Sequence, residues 1–131
     1  MQTEVVCVFI RVRMDGKWTE WYDTGIKISE GTYKENQKEG MWVFFDKYGA
    51  KYKEQNFINN RPDGKWIEYY QNGKKSGEGS YIKQTKDGVW QYWDQKGNVV
   101  YRVIYSKGKK ISESKPAEDK KKNKTDESII K

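Results

Sequence analysis

Three glutamates, Glu30, Glu54 and Glu78, recur at intervals of 24 residues. Paired carboxylates drive glycoside hydrolysis, so that chemistry is the first to weigh. The rest of the sequence argues against it. The chain has no histidine, which removes the usual general base near neutral pH and any Ser-His or Cys-His pair. Cys7 is the single cysteine, so it forms no internal disulfide, belongs to no metal-binding spacing, and reads as a packing residue. No glycine-rich phosphate loop leads from a strand into a helix. The chain is therefore expected not to be an enzyme, with no catalytic residue, no cofactor and no metal. The glutamates recur because their surroundings recur, and across a hairpin they fall opposite Thr19, Val43 and Ile67.

Those surroundings form a repeat. DGKWTEWYDTG begins at Asp15, EGMWVFFDKYG at Glu39, DGKWIEYYQNG at Asp63 and DGVWQYWDQKG at Asp87. Trp18, Trp42, Trp66 and Trp90 hold the interval of 24, as do Gly16, Gly40, Gly64 and Gly88 before them and Gly25, Gly49, Gly73 and Gly97 after them. A further aromatic column runs through Phe9, Tyr33, Phe57, Tyr81 and Tyr105. Periods of about 20–50 residues mark repeat architectures. The chain has no leucine and only two alanines, while aromatics and glycine are plentiful, so strands are expected and helices are not.

Each unit reads as a β-hairpin. Asn72-Gly73 is a two-residue type I′ turn signal, which pairs Tyr69 with Ser76 and Trp66 with Gly79; the same count pairs Trp18 with Gly31. Glycine opposite an indole leaves room for that ring to lie across the neighbouring strand. Gln55 and Val103 take the glycine position in the other two units. The acid-glycine pairs, from Asp15-Gly16 to Asp87-Gly88, are expected to be the reverse turns. A lone hairpin is marginal in water, so stability must come from stacking neighbours, with central Trp42 and Trp66 contributing most. The fold class expected is all-β: an elongated single-layer array of antiparallel β-hairpin repeats.

Side-chain alternation divides the aromatics between two faces. The signature tryptophans share a face with the Tyr33 column, while Trp21, Phe45, Tyr69 and Trp93 fall on the reverse. A finer alternation also runs through the units. Glu20 and Tyr22 become Phe44 and Asp46, then Glu68 and Tyr70, then Tyr92 and Asp94, so aromatic and acid exchange places.

The pattern [DE]-G-x-W-x-x-[FWY]-x-x-x-G, with an aromatic eight residues after its last glycine, resembles MORN repeats, and most of all their tryptophan-containing bacterial variant. The resemblance covers roughly Phe9 to Tyr105. It implies an extended hairpin array, no catalysis by the repeats, and contact with protein or lipid, often in antitoxin or immunity proteins. The expected domain is 1–107: a half repeat at 3–15, then repeats at 16–39, 40–63, 64–87 and 88–107. A disordered lysine-rich tail is expected over 108–131.

Net charge is +7, of which the segment from Ser106 onward, with nine lysines against five acids, carries +4. The repeats are thus only mildly basic, and a nucleic-acid partner is disfavoured. The N-terminus has no signal-like segment, and no apolar run approaches the roughly 20 residues of a membrane helix. A cytoplasmic location is expected unless an export signal is missing upstream. The expected function is a non-enzymatic scaffold for protein–protein interaction, of antitoxin or immunity type, that occludes a protein partner such as a toxin or effector. The alternative is peripheral binding to anionic phospholipid membrane. The candidate interaction face is the reverse column of Trp21, Phe45, Tyr69 and Trp93.

Overall fold

The structure, a computed structural model, describes residues 14–116. Cys7, Phe9, most of the expected half repeat and the lysine run from Lys120 lie outside these residues. Nine strands follow one another: β1 (Gly16–Trp21), β2 (Lys27–Lys34), β3 (Gln37–Phe45), β4 (Lys51–Ile58), β5 (Arg61–Tyr69), β6 (Lys75–Ile82), β7 (Thr85–Trp93), β8 (Val99–Ser106) and β9 (Lys109–Ser114). They form one open antiparallel sheet in sequence order, so each strand pairs only with the strands beside it in the chain. The all-β, single-layer hairpin array is the observed architecture. Among the described residues, no helix is long and apolar enough to cross a membrane.

The expected boundary at residue 107 needs correcting. Lys107 and Gly108 turn the chain, and Lys109–Ser114 add β9 to the edge, with Val103 opposite Glu113. Composition reads this stretch as tail because it has no aromatic and mixes both charges, and all six residues of β9 are indeed exposed. Backbone pairing along β8 places it, and Glu113 adds side-chain bonds from Tyr101 (2.6 Å) and Lys110 (2.9 Å).

The turns also differ from expectation. Asn72-Gly73 does not form a type I′ turn. The Gly73 amide donates to the Tyr70 carbonyl (2.9–3.0 Å across the equivalent turns) and Tyr70 N–H to Lys74 O, with Gly73 at φ 89°. This is a three-residue loop, a type I turn closed by a left-handed glycine. The resulting bulge sets Tyr69 opposite Lys75 rather than Ser76, while Trp66 still faces Gly79.

The two-residue turns with both φ positive lie instead at Glu35-Asn36, Asn59-Asn60, Lys83-Gln84 and Lys107-Gly108. The acid-glycine pairs are therefore not the reverse turns. Glu39-Gly40, Asp63-Gly64 and Asp87-Gly88 lie inside strands, four residues past the turns, where the positive φ of each glycine accompanies an irregularity in pairing. Their carboxylates have another task. Asp15 accepts from Glu35 N–H (2.9 Å), Glu39 from Asn59 N–H (3.2 Å), Asp63 from Lys83 N–H (3.1 Å) and Asp87 from Lys107 N–H (3.2 Å). Left-handed φ costs a non-glycine residue about 1–2 kcal/mol. Each acid thus offsets the strain of the next hairpin's turn, and the turns are chained together down one edge.

Candidate functional site: two faces of one sheet

The tryptophan face holds most of the core, while Ile67, 6% exposed, is buried on the reverse face between Glu54 and Glu78. Trp42 and Trp90 are each 1% exposed, whereas Trp18 and Trp66 are half-buried. Trp42 lies over Gly31 and Trp90 over Gly79, so close that a Cβ on either glycine would sit 2.2 or 2.1 Å from the indole. The glycines do make room for rings, but for those of the following hairpin rather than for Trp18 and Trp66, their partners by count. Each buried indole donates from Nε1 to a carbonyl at 3.1 Å, Trp42 to Thr32 and Trp90 to Ser80. Lys38 lies 5.1 Å above Trp42, and Lys86 lies 4.7 Å above Trp90. Tyr33 and Tyr81 meet these rings edge-on at 5.0 and 5.1 Å. Burial lowers the Lys38 ammonium pKa and raises the Tyr33 and Tyr81 phenols above their ordinary values.

Trp66 is held differently. Buried Gln55 occupies the position of Gly31 and Gly79, and its amide donates to Asn56 O at 2.7 Å. Trp66 stacks instead on Trp90, with centroids 4.8 Å apart and planes at 27°. The expectation that Trp42 and Trp66 are the principal core tryptophans therefore becomes Trp42 and Trp90. The aromatic–acid alternation follows the same two-hairpin period. Tyr22 donates its hydroxyl proton to Phe45 O (3.3 Å) and Tyr70 to Trp93 O (2.6 Å), tying each odd unit to the next. Asp46 and Asp94, at the aligned positions, accept from Tyr48 and Ala50 N–H and from Lys96 and Asn98 N–H, folding their own turns.

The reverse face is built from modules. Trp21 pairs with Lys27, Phe45 with Lys51 and Tyr69 with Lys75, so aromatics and lysines alternate across the strands. The four rings are therefore not stacked on one another; a lysine strand separates each from the next. Each of these lysines binds the glutamate three residues on, at 2.9 Å for Lys27–Glu30, 3.0 Å for Lys51–Glu54 and 2.7 Å for Lys75–Glu78. The glutamate column does face Thr19, Val43 and Ile67. Each of its carboxylates is held in an ion pair with the lysine three residues before it. Tyr69 adds a bond, its hydroxyl donating to Glu54 Oε1 at 2.9 Å, while Lys51 sits 4.7 Å above its ring. Burial pushes the Glu54 carboxyl up, but hydrogen bonds from Lys51 and Tyr69 outweigh it and hold the group below the usual carboxylate range.

Trp21 is 37% exposed, and Phe45, Tyr69 and Trp93 are half-buried. Met41 and Val89, on the same face, are 40% and 43% exposed. A cleft of about 390 Å³ lies beside Trp93, between Lys74, Lys75 and Gly97. In the first unit Ile26 takes the position of Lys74, packing 3.8 Å from where a Cβ on Gly49 of the second unit would be. The cleft and the lysine modules were not anticipated from the sequence, although Lys-x-x-Glu at Lys27, Lys51 and Lys75 shares the 24-residue interval.

Comparison with known proteins gives a family. The MORN repeat variant pattern matches residues 14–35, 62–83 and 86–107, together about half of the chain. Such repeats commonly form protein- or membrane-binding scaffolds and are generally non-catalytic. No curated protein matches. Among solved structures, a mutant of S. aureus TarM in complex with fondaparinux, alpha-GlcNAc-glycerol and UDP is 12% identical, with a TM-score of 0.48. That likeness covers 85% of this chain and 24% of the other, so this chain spans about a quarter of its length.

Proposed function

We propose, on the premise that this chain belongs to the MORN repeat variant family, that it is a non-enzymatic scaffold whose reverse face captures and occludes a protein partner. The antitoxin or immunity role, with a bacterial toxin or effector as partner and the cytoplasm as the place of action, is part of this reading. One observation carries it. The sheet has a single layer, so no second layer of the described chain packs on Trp21, Phe45, Tyr69 and Trp93, which neighbouring lysines cover only in part, while the tryptophan face packs its own rings. Part-exposed aromatics in a row mark interaction surfaces, and aromatic anchors dominate binding energy.

The test is titration of the product of the adjoining gene by calorimetry. The paired change Phe45→Ala and Tyr69→Ala should weaken binding on the order of a hundredfold while the far-ultraviolet spectrum stays that of the wild type. The pair Trp42→Ala and Trp90→Ala should unfold the chain. If the first pair unfolds it as readily, the reverse rings are core and the reading fails. Binding to phosphatidylserine vesicles that survives the first pair would favour the membrane alternative.

A further inference from the structure

The reverse face has a charge pattern as well as rings. Its acids are already engaged: Glu30, Glu54 and Glu78 by lysines, and Glu39, Asp63 and Asp87 by turn amides. Several cations are not. Lys17 and Lys65 pair in backbone register with Thr32 and Ser80, on the side of Glu30 and Glu78, and neither ammonium forms a direct ion pair among the described residues, although Lys65 is near enough to Glu54 to help hold its carboxyl low. Arg102 stands opposite Gln91 where the other units carry a glutamate, and Lys74 flanks the Trp93 cleft. The face therefore presents apolar rings in Lys–Glu frames, bordered by positive charges that form no direct ion pair.

Spacing decides which anion suits it. Lys17 and Lys65 are four strands apart and Lys65 and Arg102 three, about 19 and 14 Å at about 4.8 Å per strand. Duplex DNA presents a charge about every 1.7 Å, and anionic membranes are recognised by clusters of about 4–8 basic residues. Cations this sparse, with a glutamate beside each ring, would set carboxylates against a dense phosphate array. They match instead a protein surface that is apolar at its centre and carries a few well-separated carboxylates. The shallow, open depression beside Trp93 exposes an indole next to Lys74, where an apolar side chain and an adjoining acid can rest.

We propose that the reverse face docks an acidic, aromatic-bearing segment of a partner protein, anchored by its apolar side chains and selected by Lys17, Lys65, Lys74 and Arg102. This deepens the scaffold reading and rests on it. Sparse peripheral charges act through association rate and partner choice more than through raw affinity, so the preference should fall as salt rises.

The probes are two short synthetic peptides, one alternating glutamate with tyrosine and the other lysine with tyrosine, together with oligothymidylate and phosphatidylserine vesicles. The glutamate peptide should bind on the order of tenfold or more tightly than the lysine peptide at low salt. The paired change Lys65→Glu and Lys74→Glu should invert that preference without altering the unfolding midpoint. Equal binding of both peptides, or a preference that survives the charge reversal, overturns the proposal. So does tighter binding of oligothymidylate or vesicles than of the glutamate peptide. If the peptides bind without charge preference and Phe45→Ala with Tyr69→Ala abolishes that binding, the docking face stands and only its acidic specificity falls. If no probe binds, the acidic-segment proposal falls, and the scaffold reading is judged by the adjoining-gene titration.

Discussion

Trp42 and Trp66 occupy the same position of the same motif, one hairpin apart, yet only Trp42 is fully buried. The difference lies across the strand pair. Trp42 faces a strand carrying Gly31 and drops its indole onto that backbone, as Trp90 does on Gly79. Trp66 meets Gln55, whose side chain already fills the space, and turns onto Trp90 instead. Lys38 and Lys86 cover the first kind of indole, while the aligned residue in the third unit is Pro62. The sequence repeats every 24 residues, but the packing repeats every two hairpins. Identity of motif thus does not give identity of role; the residue on the neighbouring strand assigns it.

The largest effect that could break this comparison comes from the indoles themselves. Trp42→Ala and Trp90→Ala should each cost about 3–5 kcal/mol, the usual range for a buried aromatic, with Trp66→Ala distinctly less in urea titration. Equal losses at Trp42 and Trp66 would erase the two-hairpin unit. Next come the glycines beneath the rings. Gly79→Ala should cost about 1–3 kcal/mol through overpacking against Trp90, since the ring is boxed in and cannot swing away.

A smaller effect probes the chain of turns. Asp63→Ala removes the acceptor of Lys83 N–H and should cost about 0.5–1.5 kcal/mol, with faster amide exchange at Lys83 as its local signature. The smallest contrast concerns pH on the reverse face. Glu54 is held below its ordinary range, so its charged form is favoured in the fold. Its contribution is complete above the unfolded carboxylate value of about 4.3 and is lost as pH falls through the lower folded value. Glu54→Gln should therefore flatten the acid limb of the stability profile, with its loss greatest near pH 7 and vanishing in acid, where Glu54 itself is protonated. Lys51→Met should cost less than about 1 kcal/mol, as expected for a part-exposed ion pair.

Much of the fold was legible in the chain. Four registered copies of one motif, rich in aromatics and lacking leucine, determined an all-β hairpin array, and counting from Gly73 paired Trp66 with Gly79. Alternation also placed Tyr69 on the Glu54 side of the sheet, where its hydroxyl is found. The turns were harder, because Glu35-Asn36, Asn59-Asn60 and Lys83-Gln84 adopt left-handed φ without a glycine. The bonds that compensate come from carboxylates 20 residues earlier in the chain, beyond the reach of any local signal. β9 is illegible for a related reason, since its place is set by pairing with the edge of β8 and by the Tyr101–Glu113 bond, which its own composition does not announce.

The sequence by itself determined the strand count per unit, the face on which each aromatic lies, and the lack of any histidine. Only the tertiary structure decided which indoles form the core and which lysines neutralise the glutamates. It also left the reverse rings as separate islands rather than one stack. The physical reason is that alternation fixes direction along one strand, whereas the volume available to a ring, and the partner available to a charge, are set by the strand beside it.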